Sequence, residues 1–159
     1  MGRTVSGEVS KMDAKFSANA KDLMGKRGLK EADVADVVKT AETSHRKITD
    51  GKVNIAKKRI GEVTVYAQYD NHGNVEAAYS HRMVLGEPVK TTDQPEVTNW
   101  ECMHCKEKAI AGTVNMTYMG ITRSGPAIVC PKCGDSWVEE YLATKTIAAA
   151  EGLFEKKKA

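Results

Sequence analysis

All four cysteines of the chain stand in two short pieces, ECMHCKEK and IVCPKCGD, each as a Cys-x-x-Cys pair. A Cys-x-x-Cys turn bends the backbone so that both thiolates reach one ion, and two such knuckles on facing hairpins complete a tetrahedral sulfur site. Cys102 and Cys105 form the first pair, Cys130 and Cys133 the second, with 24 residues between them. That spacing is slightly longer than the usual ribbon window and of the same kind. Pro131 fixes the backbone ahead of the second turn, and Gly134 can take the positive φ the turn needs. We expect Cys102, Cys105, Cys130 and Cys133 to hold one metal ion. A redox-active dithiol uses a single Cys-x-x-Cys at a helix start, which two hairpin pairs do not match. His104, inside the first knuckle, is an alternative ligand.

Zinc and iron both accept four thiolates. CPKCG occurs in zinc ribbons and in rubredoxin-type iron sites alike. The first knuckle has Lys106 where an iron site has glycine, which favours zinc and leaves iron as the alternative. Trp100 and Trp137 flank the knuckles and either wrap the sulfurs or anchor an interface. Lys106, Lys108 and Lys132 can offset the thiolate charge or form a docking patch.

Further candidates lie upstream. His81 sits on the apolar face of a strand, as a buried hydrogen-bonded histidine or a contact for a partner. His45 falls on the apolar stripe of a helix packed over that sheet, so the two histidines could meet in a polar site. Arg59 and Arg82 are solvated strand charges or contacts for an acidic partner. There is no phosphate loop, no Gly-x-Gly-x-x-Gly and no nucleophile elbow. A four-cysteine site is coordinatively closed, which points away from catalysis.

The elements that must position these residues follow from periodicity. Residues 1–27 read as a flexible tail with a helical piece near Ser17–Met24. From about Lys30 to Arg46, the residues Val34, Val38, Ala41, His45 and Ile48 recur on one helical face, beside Val37. Three strands follow, KVNIAKKRI, EVTVYAQY and NVEAAYSHRMVL, with Val75, Ala77, Tyr79, His81 and Met83 on one face of the third. Short connections imply an antiparallel meander with the helix across it, over residues 28–86. Residues 87–99 carry two prolines and read as a linker. Residues 100–159 hold the cysteine unit and a last helix, about Val138–Glu155, striped by Val138, Tyr141, Leu142, Ala149 and Leu153. The expected fold class is therefore α+β: a helix on a small antiparallel meander, then a zinc-ribbon or rubredoxin-like module with a C-terminal helix.

The 159 residues carry 24 basic and 21 acidic side chains, a net charge of +3, which demands neither nucleic acid nor a membrane as partner. Without a long basic stripe or an aromatic platform, a nucleic-acid-binding ribbon is a minor alternative. No apolar run approaches the ~20 residues of a membrane span, and the start lacks a secretory signal. A cytoplasmic protein is expected, a compartment in which such cysteines bind metal rather than form disulfides.

The stretch WECMHC…GTVNMTYMGITRSGPAIVCPKCGDSWVEEYLATKTIAAAEGLFE, residues 100–155, resembles a family of small two-knuckle redox proteins of anaerobic bacteria. The upstream part, with RIGEVTVYAQY and AYSHRM, is similar to a module found beside iron–sulfur, glutamate-synthase-like oxidoreductases. His45 stands where that module has glycine. Together the resemblances imply a subunit or accessory of a larger anaerobic oxidoreductase complex, and the missing catalytic motifs point to a non-catalytic one. Its partners would be iron–sulfur and flavin subunits or molybdenum- or tungsten-type enzymes. An iron site would make it an electron carrier.

Overall fold

A computed structural model describes residues 14–89 and 96–158. The elements in chain order are β1 (Lys15–Phe16), α1 (Ala18–Arg27), α2 (Glu31–Ser44), β2 (Lys47–Thr49), β3 (Val53–Ile60), β4 (Val63–Asp70), β5 (Asn74–His81) and β6 (Val84–Val89). Then come β7 (Glu96–Cys102), β8 (Glu107–Tyr118), β9 (Ile121–Val129), β10 (Ser136–Trp137), a π-helical segment (Leu142–Ile147) and α3 (Ala148–Lys158). Residues 1–13 of the expected tail and 90–95 of the expected linker lie outside the described residues. Among the described residues, no helix is long and apolar enough to cross a membrane.

The expected small meander followed by a separate ribbon is not what forms. Ten strands share one mixed sheet, ordered β1-β5-β4-β3-β2-β7-β8-β9-β10, with β6 added on β8. The junction is β2, only three residues long, which pairs with β3 on one edge and with β7 on the other. Its pairing partners lie far apart in sequence, and a segment as short as KIT shows no period of its own. The meander β3-β4-β5 itself is present and antiparallel, but it is one part of a larger β structure. The sole parallel contact among the described strands is β1 with β5.

The middle strands are buried on both faces, so the simple alternation expected for β4 gives way to the run Thr64, Val65, Tyr66, Ala67, all buried. Val65, Ala67 and Tyr69 face α1 and α2 through Met24, Val34, Val37 and Val38. Tyr66 and Tyr79 face a second core made of Ile48, Ile55, Trp137, Val138 and the apolar residues of β8 and β9. The sheet thus curls, and the Tyr79 hydroxyl donates to the Val138 carbonyl at 2.8 Å to tie the two sides. On β5 the expected single apolar face is also corrected. Gln68 pairs with Ala77 but Tyr69 with Val75, so Glu76 is an extra residue, a β-bulge that turns Val75 toward the helices. The bulge carbonyl accepts from Ser17 Oγ and Asn19 Nδ2. Ser17 Oγ in turn caps α1 by accepting the Ala20 N–H at 3.0 Å.

α2 buries Val34, Val37, Val38 and Ala41 as expected from their spacing. It stops at Ser44 because His45 adopts the left-handed conformation, φ 63°, and donates its N–H to Ala41 O. At the other end of the chain the expected stripe is displaced. Val138 is buried as expected, but Tyr141 and Leu153 are exposed, and Ala143, Ile147 and Phe154 are buried in their place. A π-helical turn takes one more residue than an α-turn, so a stripe drawn at α spacing drifts off the core face. The buried Glu151 closes this helix onto the sheet, its Oε2 accepting from the backbone N–H groups of Arg82 and Met83. Removing it leaves two amide donors without their carboxylate. Glu151→Ala should lower unfolding free energy by about 2–4 kcal/mol in urea denaturation, and a loss under 1 kcal/mol would show that this latch carries little.

Candidate metal centre

The two knuckles are placed by β8, which pairs with β7 on one side and β9 on the other. Cys102 ends β7 opposite Glu107, the first residue of β8, and Cys130 directly follows β9, whose Val129 pairs with Ile110. Both turns therefore sit at the same end of a three-strand ladder. The ligand sulfurs of Cys102, Cys105, Cys130 and Cys133 all lie within 4.8 Å of one another. Four sulfurs about 2.3 Å from one zinc would be spaced by about 3.8 Å, so the group can close around an ion with small side-chain shifts.

The knuckles repeat each other bond for bond. In the first, the Lys106 N–H donates to Cys102 O at 2.7 Å, and in the second the Gly134 N–H donates to Cys130 O at 2.9 Å. The backbone amides of His104 and Cys105 favour the Cys102 thiolate, and those of Lys132 and Cys133 the Cys130 thiolate. Lys106 reaches φ 57° and Gly134 φ 78°. The lysine therefore adopts the turn for which glycine was expected to be needed, and its presence does not argue against iron.

Burial pushes the Cys102 thiol up to about 12 despite its amide donors. Burial raises Cys105 as well, helped by the neighbouring thiols of Cys133 and Cys130. At Cys130 burial works in the same direction, but the amides of Cys133 and Lys132 outweigh it and the thiol is lowered. A cation is the natural means of ionising all four together, since ligand thiols must lose their protons.

The surroundings tie this corner to the rest of the sheet. The Met103 N–H donates to Lys47 O on β2, and the Cys130 N–H to Asp135 O. Asp135 pairs with Lys57 of β3 at 3.0 Å and more loosely with Arg46 at 3.9 Å. Lys57 also lies over the Trp137 ring, 5.5 Å from its centroid. Neither Asp135 nor Lys57 is among the residues expected from the sequence, because their pairing joins segments far apart in the chain. Lys106, Lys108 and Lys132 are exposed, as is His104, which stays outside the four-sulfur group.

The remaining candidates are placed as follows. Trp137 is fully buried, with its indole N–H lacking a partner among the described residues, while Trp100 is half-buried beside a surface cavity. His45 is exposed at the end of α2, so the histidines do not form a joint site. His81 is buried, with Nδ1 2.9 Å from Met83 O and Nε2 2.9 Å from the Tyr66 hydroxyl. A carbonyl only accepts, so Nδ1 carries the proton and Nε2 accepts from Tyr66. Arg59 binds the Thr64 hydroxyl and the carbonyls of Glu62 and Arg82, which makes it a brace for two turns. Arg82 pairs with Glu155 of α3 at 3.0 Å.

Residues 98–157 match the model of a family described as a domain of unknown function, DUF7479. The matched stretch holds both knuckles, β8, β9 and the closing helix. Neither the curated proteins nor the solved structures yield a match to the chain.

Two outcomes check this geometry. A non-glycine residue held in the left-handed region costs about 1–2 kcal/mol, so Lys106→Gly should retain metal and gain about 1 kcal/mol, whereas Gly134→Ala should lose a similar amount; metal titration and urea denaturation read both. For His81, burial holds the folded pKa down to about 4 against 6.5 ordinarily. The unfolded chain then binds the proton more readily, so the stabilisation is complete above about pH 6.5 and is lost as pH falls toward 4, on the order of 3 kcal/mol. The stability of His81→Gln, which can keep both hydrogen bonds, should fall less steeply than wild type across that window; parallel curves would contradict it.

Proposed function

We propose that the chain is a zinc-binding, non-catalytic accessory protein whose four-thiolate centre staples a docking module. The observation that carries this reading is the convergence of four cysteine sulfurs within 4.8 Å at the ends of two paired hairpins. Four protein donors fill a tetrahedral shell, leaving no position for a substrate or an activated water. Zinc suits a staple because it is redox-inert and takes tetrahedral sulfur without further demands. The exposed lysines around the knuckles, Lys106, Lys108 and Lys132, offer a cationic rim for an acidic surface. The resemblance of residues 100–155 to two-knuckle redox proteins supports a host among anaerobic oxidoreductases, with iron–sulfur, flavin, molybdenum or tungsten subunits as partners.

A rubredoxin-type iron carrier is the second reading. It is kept open by the four-sulfur group itself, since tetrahedral thiolates accept iron as well as zinc, and by Lys106 taking the turn in which an iron site has glycine. Metal analysis of the chain isolated with its native neighbours separates the two. The zinc reading expects one colourless zinc per chain, loss of folded structure around the knuckles on chelation, and recovery with oxidoreductase subunits. Stoichiometric iron with visible thiolate-to-iron absorption would replace it with the carrier. Recovery only as a free chain would remove the accessory role.

A further inference from the structure

A second site lies between β9 and the π-helical segment, in the same part of the chain but built without any cysteine. It is a cavity of about 140 Å³, lined inside by Met83, Met116, Leu142, Ile147, Ala150 and Phe154. An apolar cavity near 150 Å³ in another protein stays dry and takes up benzene. Water here would find few partners, so an apolar group of one ring's size would displace it favourably.

Three features shape the space. The wall is the π-helical turn, where the Ala148 N–H reaches back to the Ala143 carbonyl, five residues away. Single π turns are rare and recur at functional sites. Two methionines, which adapt to a guest better than branched side chains, form part of the lining. Gly125 faces Met116: a Cβ there would come within 3.1 Å of its sulfur, so any larger residue would push that side chain aside.

The polar groups in the lining are Arg123, Ser124 and Thr146, all exposed. The Arg123 guanidinium lies over the Phe154 ring, 6.0 Å from its centroid. One of its N–H groups goes to the Thr122 carbonyl, and it has no carboxylate partner among the described residues. A guanidinium above an apolar slot is suited to a carboxylate attached to a compact apolar body.

We propose that this cavity binds a small aromatic monocarboxylate, its ring among Met83, Ile147 and Phe154 and its carboxylate on Arg123. The site does not depend on which metal the cysteines hold, nor on the accessory role. Glu151 supports it at a distance by fixing the Met83 backbone.

The test uses the full-length metal-loaded chain with benzoate and its neutral isostere benzamide, titrated by calorimetry and by ligand-observed NMR. Benzoate should bind saturably at one site. Benzamide should bind about tenfold or more weakly, because it loses the charge-assisted hydrogen bonds. Arg123→Gln should weaken benzoate by a similar factor and leave benzamide unchanged, and Ala150→Leu, which fills the slot, should abolish both. Arg123 is exposed, so its variant keeps the test decisive even where Ala150→Leu disturbs folding. No saturable benzoate binding, equal affinity for acid and amide, or an Arg123→Gln variant that binds benzoate like wild type would each overturn the proposal.

Discussion

Four thiols brought to one point are a liability unless a cation joins them. Ionised, they repel one another; protonated, they make only weak hydrogen bonds. The chain nonetheless brings the sulfurs of Cys102, Cys105, Cys130 and Cys133 together, on two turns that paired strands hold at one end of a ladder. β8 carries β7 and β9 on its two edges and so fixes both knuckles at one end of the ladder. From that corner the contacts run outward. Met103 holds β2, and Asp135 holds Lys57 on β3. β2 in turn joins the helix-covered strands to the cysteine-bearing ones. A metal centre closed at this corner would tie β2 and β3 to the cysteine-bearing strands.

The second consequence is a core that is polar in a few chosen places. Tyr66 and Tyr79 stack with ring centroids 4.8 Å apart, and each hydroxyl is used, Tyr66 toward His81 and Tyr79 toward Val138. His81 completes the string at Met83, and Glu151 receives the two consecutive amides of that turn, from Arg82 and Met83. Buried groups satisfied in this way favour one arrangement of strands over its neighbours in register. They also hold Met83 where the apolar cavity needs it. The β5–β6 turn is thus tied both to the curled core and to the closing helix.

How much of this was legible in the sequence depended on the range of the interaction. The four ligands were legible because Cys-x-x-Cys spacing is itself the geometry of a knuckle. α2 and the strands β3, β4 and β5 were legible because helical and strand periods are local. The joint between the halves was not, because the three residues of β2 show their role only beside β3 and β7. The displaced stripe of the last helix traces to the π turn at Leu142–Ile147, which no spacing rule for α-helices foresees. His45 and Lys106 mark a common cause of error: both occupy left-handed positions that composition alone assigns to glycine. At His45 the left-handed turn carries the side chain off the helix stripe to the surface, and at Lys106 it lets a lysine close the knuckle as glycine would.

The central claim is that the two knuckles hold one ion with sulfur alone. X-ray absorption at the metal edge of the purified chain tests it most directly. The expected result is one ion per chain surrounded by four sulfurs at about 2.3 Å, with no nitrogen or oxygen bound to it. A shell of mixed sulfur and nitrogen or oxygen, or a chain that binds no metal stoichiometrically while its cysteines pair as disulfides, would contradict it.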